Sequence, residues 1–172
     1  AQIMEQAGLC SAQEFLDVAN NGDFSQFGFW AKREEKPNQF MKAEGYLFPD
    51  TYEVYKGNAA VVDTINKMLN NFGNKYDADI KSGAENLGRS MHDIVTIASL
   101  VEREAQRDDE RARIAGVIYN RLNNSSEFPY LQVDAVRSYG LGRTGGKLSD
   151  EDLKSDSEYN LYNHEGLPPG PI

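Results

Sequence analysis

Only one cysteine, Cys10, stands in the 172 residues, and only two histidines, His92 and His164. A lone cysteine excludes an intrachain disulfide and any multi-cysteine metal site. Two histidines without a His-Glu-x-x-His pattern leave too few ligands for a zinc centre. A Ser-His-Asp triad would have to use one of those two histidines, and no Gly-x-Ser-x-Gly elbow is present. Long apolar runs are also missing. None approaches the ~18 residues of a membrane span, and no signal peptide is visible. Positive charge is scarce: 18 Lys and Arg face 27 Asp and Glu, for a net charge of −9. Such a surface repels phosphate backbones, which argues against nucleic acid as a partner. The chain begins at Ala1 and ends at Ile172 just after Pro168-Pro169-Gly170-Pro171. Both ends read as cut, so a fragment is expected.

What is present is ordinary for a globular protein: 40% hydrophobic, 26% charged and 10% aromatic residues. Gln2 to Gln6 reads as the end of a helix stopped by Gly8. Ser11-Ala12-Gln13-Glu14 is a capping box that opens a second helix, with Phe15, Leu16 and Val18 inward. Residues 22–43 are irregular and aromatic. Phe27-Gly28-Phe29-Trp30 is read as core cover rather than a sugar-stacking platform, and Lys32 to Pro37 as a solvated loop. Tyr52, Val54 and Tyr55 suit a strand, while Glu44 and Asp50 read as turn and cap residues.

Asn58 should cap an amphipathic helix carrying Val61, Ile65, Leu69 and Phe72, closed by Gly73. A weaker helix is expected from about Tyr76 to Leu87, and another from Asp109 or Glu110 to Leu122. Leu131-Gln132-Val133-Asp134 alternates like a short strand, and Ala135 to Tyr139 makes a turn or two of helix. The glycine-rich stretch Gly140 to Gly146 is not a phosphate loop, because Gly146-Lys147 is followed by Leu148; a mobile flap is expected. The closing stretch is dense in Asn, Tyr and Gly, which suits a groove for a polar, uncharged ligand.

The chain is organised around the helix that ends Ile97-Ala98-Ser99-Leu100-Val101-Glu102-Arg103-Glu104. With Ile94 set at zero, ~100° per residue puts an apolar arc from Leu100 through zero to Val95. Glu102 and Glu104 both fall inside that arc, while Thr96, Ser99 and Arg103 fall outside it. His92 is expected at the surface. A carboxylate drawn into an apolar surface tends to a raised pKa, which a general acid near neutral pH requires. The bland reading pairs both glutamates with Arg103, Arg107 or Arg111 at the helix edge. The wheel does not choose between the two glutamates.

Facing them are Asn120, Gln132, Asp134, Tyr159 and Asn160, a set that points to glycosidic-bond chemistry. Hydrolases of that kind need two carboxylates, and Asp134 is the obvious second. A one-carboxylate route also exists: the acid protonates the leaving oxygen and then takes a proton from a hydroxyl of the same sugar.

These residues resemble a known family. Ile97 to Ala105, Val117-Ile118-Tyr119-Asn120-Arg121-Leu122, Leu131 to Asp134, Tyr159-Asn160-Leu161-Tyr162, Gly166 to Ile172 and, upstream, Glu44 to Tyr52 are similar to the motif blocks of the MltG (YceG-like) endolytic murein transglycosylases. Ala135 stands where that family usually has Pro, and Asn123 to Tyr130 is longer than its usual turn. The resemblance implies an α+β fold: a mostly helical, lysozyme-like catalytic domain with short strands over residues 22–172, truncated at its C-terminus. Residues 1–21 would be the remnant of a LysM-like domain.

The implied activity is cleavage of nascent peptidoglycan strands between N-acetylmuramic acid and N-acetylglucosamine, leaving 1,6-anhydromuramyl ends. Glu102 is implied as the catalytic acid then base and Glu104 as a supporting carboxylate. Asn120, Gln132, Asp134, Tyr159 and Asn160 are implied substrate-binding residues. No cofactor or metal is called for. The implied partners are glycan strands, with peptidoglycan synthases as further candidates. The implied location is the outer face of the bacterial cytoplasmic membrane, held by an anchor absent from this chain. The competing readings are a non-catalytic peptidoglycan-binding module and a true muramidase using Asp134.

Overall fold

The structure, a computed structural model, describes residues 1–143 and 149–172. Two compact units divide it: residues 1–35 with 40–91, and residues 36–39 with 92–172. Among the described residues there are eight α-helices, two short 3-10 turns and no strand. The α+β expectation is therefore wrong, and the chain is helical with long irregular connections. The two stretches read as strands are extended but have no partner ladder. The carbonyl of Glu53 accepts from Lys67 Nζ, and Gln132 N–H donates to Leu161 O at 2.9 Å. A strand needs a neighbour that repeats such bonds, and alternation in the sequence does not supply one.

The first unit holds α1 (Gln2–Gln6), α2 (Ala12–Asn21), α3 (Gly28–Lys32), α4 (Ala60–Lys75) and α5 (Ala78–Asn86). Ser11 Oγ accepts from Glu14 N–H at 3.0 Å, the N-cap contact its capping box promised. Asp77 caps α5 in the same way, through Asp79 and Ile80 N–H. The core of this unit is aromatic. Trp30 meets Phe24 and Tyr46 edge-on at 5.6 and 5.8 Å between ring centroids, and Phe72 stacks on Tyr76. Edge-to-face packing adds to the burial term of such rings.

Two expectations need correction here. Arg33, read as part of a solvated loop, is buried, with its guanidinium 4.0 Å from the Trp30 centroid and an ion pair to Glu35 at 2.9 Å. Gly73, read as the residue closing α4, lies inside that helix. Its missing side chain makes room for Phe29, whose ring would lie 3.1 Å from a Cβ at that position.

The second unit contains the rest of α6 (Met91–Glu104) from His92 onward, α7 (Arg111–Asn123) and α8 (Asp134–Gly140). Its core is largely aliphatic: Ile97, Leu100, Val101, Ile118, Leu131, Val133, Val136 and Leu161, with Tyr159. His92 is only 2% exposed, so the surface expectation for it fails. Its Nε2 lies 2.8 Å from the Pro169 carbonyl, and Ile172 N–H donates to Ser99 Oγ at 3.0 Å. Prolines carry no N–H, and their buried carbonyls still need donors. His92 on α6 meets that need for Pro169, and Ser99 Oγ accepts from the N–H that follows the segment.

The buried face is wider than expected. Val95, Ile97, Leu100 and Val101 of the apolar arc are buried, but so are His92, Thr96 and Ser99, while Ala98, inside that arc, is exposed.

Candidate active site

Glu102 and Glu104 are two residues apart at the end of α6, so they project about 200° apart around the helix axis. Both are exposed, so the apolar arc does not enclose them, and they stand at the edge of the helix. They open onto different cavities. Glu102 lines a cavity of about 540 Å³ with Ile94, Ile97, Ala98, Val101, Arg111, Ala112, Ala115 and Tyr119. That lining consists of one face of α6 and one face of α7. Apart from Glu102, Arg111 and Tyr119 it is aliphatic, and none of the expected binding residues belongs to it.

Glu104 lines a second cavity, of about 460 Å³. It projects on the side of Ile97 and Leu100, toward the segments that follow α7. Glu110, Arg113, Val117 and Arg121 come from the α7 side, and Leu131, Gln132 and Val133 from the extended segment before α8. The floor is aliphatic and the rim carries charges of both signs.

Arg121 builds this groove. From the last turn of α7 its guanidinium donates to the Tyr130 and Leu131 carbonyls, at 2.9 and 3.2 Å, and to Gln132 Oε1 at 2.9 Å. Gln132 sits at φ +59, one of two non-glycine residues with positive φ among the described residues. That conformation costs about 1–2 kcal/mol. It is held by the Arg121 clamp and by the bond to Leu161 O, and observed strain of this kind gathers at functional sites.

Beyond Gln132 the chain enters α8, whose first residue is Asp134. Asp134 Oδ1 accepts from the Tyr162 hydroxyl at 3.0 Å. Burial raises the Tyr162 phenol above its ordinary pKa. The Asp134 hydrogen bond and charge add to this, as does the charge of Glu104, while Arg137 opposes it. Glu104, Asp134 and Tyr162 thus share one electrostatic neighbourhood.

The other expected residues stand apart from it. Asn120 is exposed on α7, and its backbone carbonyl accepts from Asn124 Nδ2 at 2.7 Å. Tyr159 and Asn160 are each 1% exposed. Tyr159 packs in the core, 5.3 Å from Tyr139 between ring centroids. Asn160 spends its amide on the Ser155 and Leu153 carbonyls and accepts from Tyr162 N–H at 3.4 Å. It shapes the turn that presents Tyr162. Tyr162 is the residue the sequence reading missed. Its signal was the Tyr-Asn-Leu-Tyr spacing, where the second tyrosine, not the first, reaches the surface. The glycine-rich flap expected over residues 140–146 lies partly outside the described residues, and so does Leu148.

Among the described residues no cluster of His, Cys, Asp and Glu could hold a metal ion, and no helix is long and apolar enough to cross a membrane.

Several known proteins resemble this chain. The chain is 39% identical over 160 residues to an endolytic murein transglycosylase of Bacillus subtilis (strain 168), a match covering 93% of this chain and 40% of that protein. It is 39% identical over 139 residues to an endolytic murein transglycosylase of Streptococcus pneumoniae serotype 2, covering 76% of this chain and 24% of the other. The chain therefore spans less than half the length of either relative. A crystal structure of a yceG-like protein from Listeria monocytogenes superposes with a TM-score of 0.83 at 28% identity, covering 99% of this chain and 57% of that one. The pattern of the YceG-like family matches residues 1–172 throughout, and the chain belongs to that family.

Proposed function

We propose that this chain carries catalytic machinery of an endolytic murein transglycosylase, which cuts within peptidoglycan glycan strands on the outer side of the cytoplasmic membrane. The observation that carries this reading is the groove of Glu104. It joins a carboxylate to Gln132 on a strained, clamped backbone and lies beside the Asp134–Tyr162 pair.

The bond cut is that between N-acetylmuramic acid and N-acetylglucosamine. A protonated glutamate gives its proton to the glycosidic oxygen as the C1–O bond breaks. The resulting carboxylate then takes the proton of the C6 hydroxyl of the same muramyl residue. That oxygen closes on C1, leaving a 1,6-anhydro end and the glutamate reprotonated. No water is consumed. Asp134, held by Tyr162, supports the positive charge that builds on the ring. Gln132 orients the sugar through hydrogen bonds, and Tyr159 and Asn160 support the groove from beneath.

Of the two glutamates, Glu104 is assigned the acid and base role, because Gln132 lines its groove and its charge reaches Tyr162. Glu102, the residue implied by the motif, lines a cavity with Arg111 and Tyr119 but none of the expected binding residues. The test is mass spectrometry of uncrosslinked glycan strands incubated with the full-length protein beside Glu104→Gln and Glu102→Gln. Anhydro-ended fragments from wild type and Glu102→Gln, but not from Glu104→Gln, are expected. Loss only in Glu102→Gln would return the role to that residue. Fragments carrying added water would make the enzyme a muramidase and Asp134 its second carboxylate. No cleavage by any of the three would favour a binding module.

A further inference from the structure

Arg137 has no place in the scheme above, yet its surroundings are unusual. It is 3% exposed, and its Nε is buried without a hydrogen-bond partner. Among the described residues it makes no ion pair. A buried cation without a carboxylate is costly. Its compensation is the face of Tyr162, whose ring centroid lies 3.6 Å from the guanidinium carbon. Such contacts strengthen when desolvated.

Arg137 follows Asp134 by three residues on α8, so both project from one side of that helix. Tyr162 bridges the two, with its ring on Arg137 and its hydroxyl on Asp134 Oδ1. We propose that Arg137 is a positioning residue that acts through Tyr162 to hold Asp134 oriented. The stacked guanidinium fixes the plane of the ring, and therefore the direction of the O–H. A cation at the ring face also makes the phenol a stronger donor, against the opposing charges of Asp134 and Glu104. Asp134 is then left with Oδ2 for a ligand. This deepens the reading of Asp134 as a groove residue and rests on it.

The test does not depend on catalysis. The Asp134 side chain is followed by NMR in the full chain at neutral pH, through its carboxyl carbon shift and the couplings that report its χ1 rotamer, assigned by comparison with Asp134→Asn. Tyr162→Phe keeps the ring and removes the donor, so the carboxyl signal should move and the single rotamer should average. Arg137→Met should do the same. Arg137→Gln, which keeps a planar polar group without the charge, serves where Met fails to fold. The deciding variant combines Arg137→Met, or Arg137→Gln, with Tyr162→Phe. If Arg137 works through the tyrosine, the Asp134 signals of the combined variant match those of Tyr162→Phe alone. A full additional change in the Phe background would show that Arg137 acts on Asp134 directly by charge, and would overturn the proposal. So would a folded Arg137 variant whose Asp134 signals match wild type. Should the transglycosylase reading itself fail, these signals still decide this coupling.

Discussion

The two cavities at α6 make an instructive pair. Each carries one glutamate of the same motif, and each is of a size to admit part of a sugar chain. The Glu102 cavity is walled by α6 and α7 alone, which supply Arg111 and Tyr119 beside aliphatic side chains. The Glu104 groove is walled on one side by irregular chain. That chain presents the Gln132 amide and leads directly into Asp134, which a second distant stretch meets with the Tyr162 phenol. Loops carry function more often than regular elements for this reason, provided a scaffold holds them. Here Arg121 is that support.

The sharpest way to break the comparison is to neutralise each glutamate separately. Glu104→Gln should cost about 10²–10⁴ in cleavage rate, the usual worth of a general acid or base. Glu102→Gln should stay within about threefold, since general-acid function is not lost. Comparable losses in the two, read from anhydro-end formation, would dissolve the distinction.

The next contrast fills each cavity. Val117→Trp crowds the groove floor and should raise KM about tenfold, an effect of about 1.4 kcal/mol. Ala98→Leu adds similar apolar bulk to the other cavity and should leave KM unchanged. An equal rise in KM for Ala98→Leu would place substrate in both.

A smaller effect separates two buried polar residues on α6. His92→Leu leaves the Pro169 carbonyl without its donor and should destabilise by about 1–3 kcal/mol. Thr96 is fully buried, and its hydroxyl has no partner among the described residues. Thr96→Val should therefore be neutral or stabilising, as expected when an unpaired hydroxyl is replaced by a methyl group. Thermal melts of the two variants would check the contrast. The smallest change is Ser11→Ala in the first unit, which removes the cap of α2 at a cost of about 1 kcal/mol.

Helix positions were largely legible in the sequence because their signals are local. The Ser11 capping box, the left-handed Gly8 and Gly88, and the apolar spacing of α4 each act within a turn or two. The buried face of α6 was only partly legible. A helical wheel ranks residues by hydropathy, but His92 and Ser99 are buried against a proline-rich segment some 70 residues away, one facing a proline carbonyl and the other accepting from Ile172 N–H. The strands failed for a related reason, since pairing is a long-range property.

The same division runs through the site. By itself the sequence determined that a glutamate pair ends an apolar helix, that metal ligands and disulfides are lacking, and which family pattern the chain follows. Spacing of about 100° per residue also required Glu102 and Glu104 to point to different sides. Only the tertiary structure decided that Gln132 lines the cavity of Glu104, that Tyr162 reaches Asp134, and that Tyr159 and Asn160 lie beneath the surface. The reason is physical: direction along a helix is a local consequence of backbone geometry, whereas what stands opposite it depends on how distant segments satisfy one another's buried polar groups.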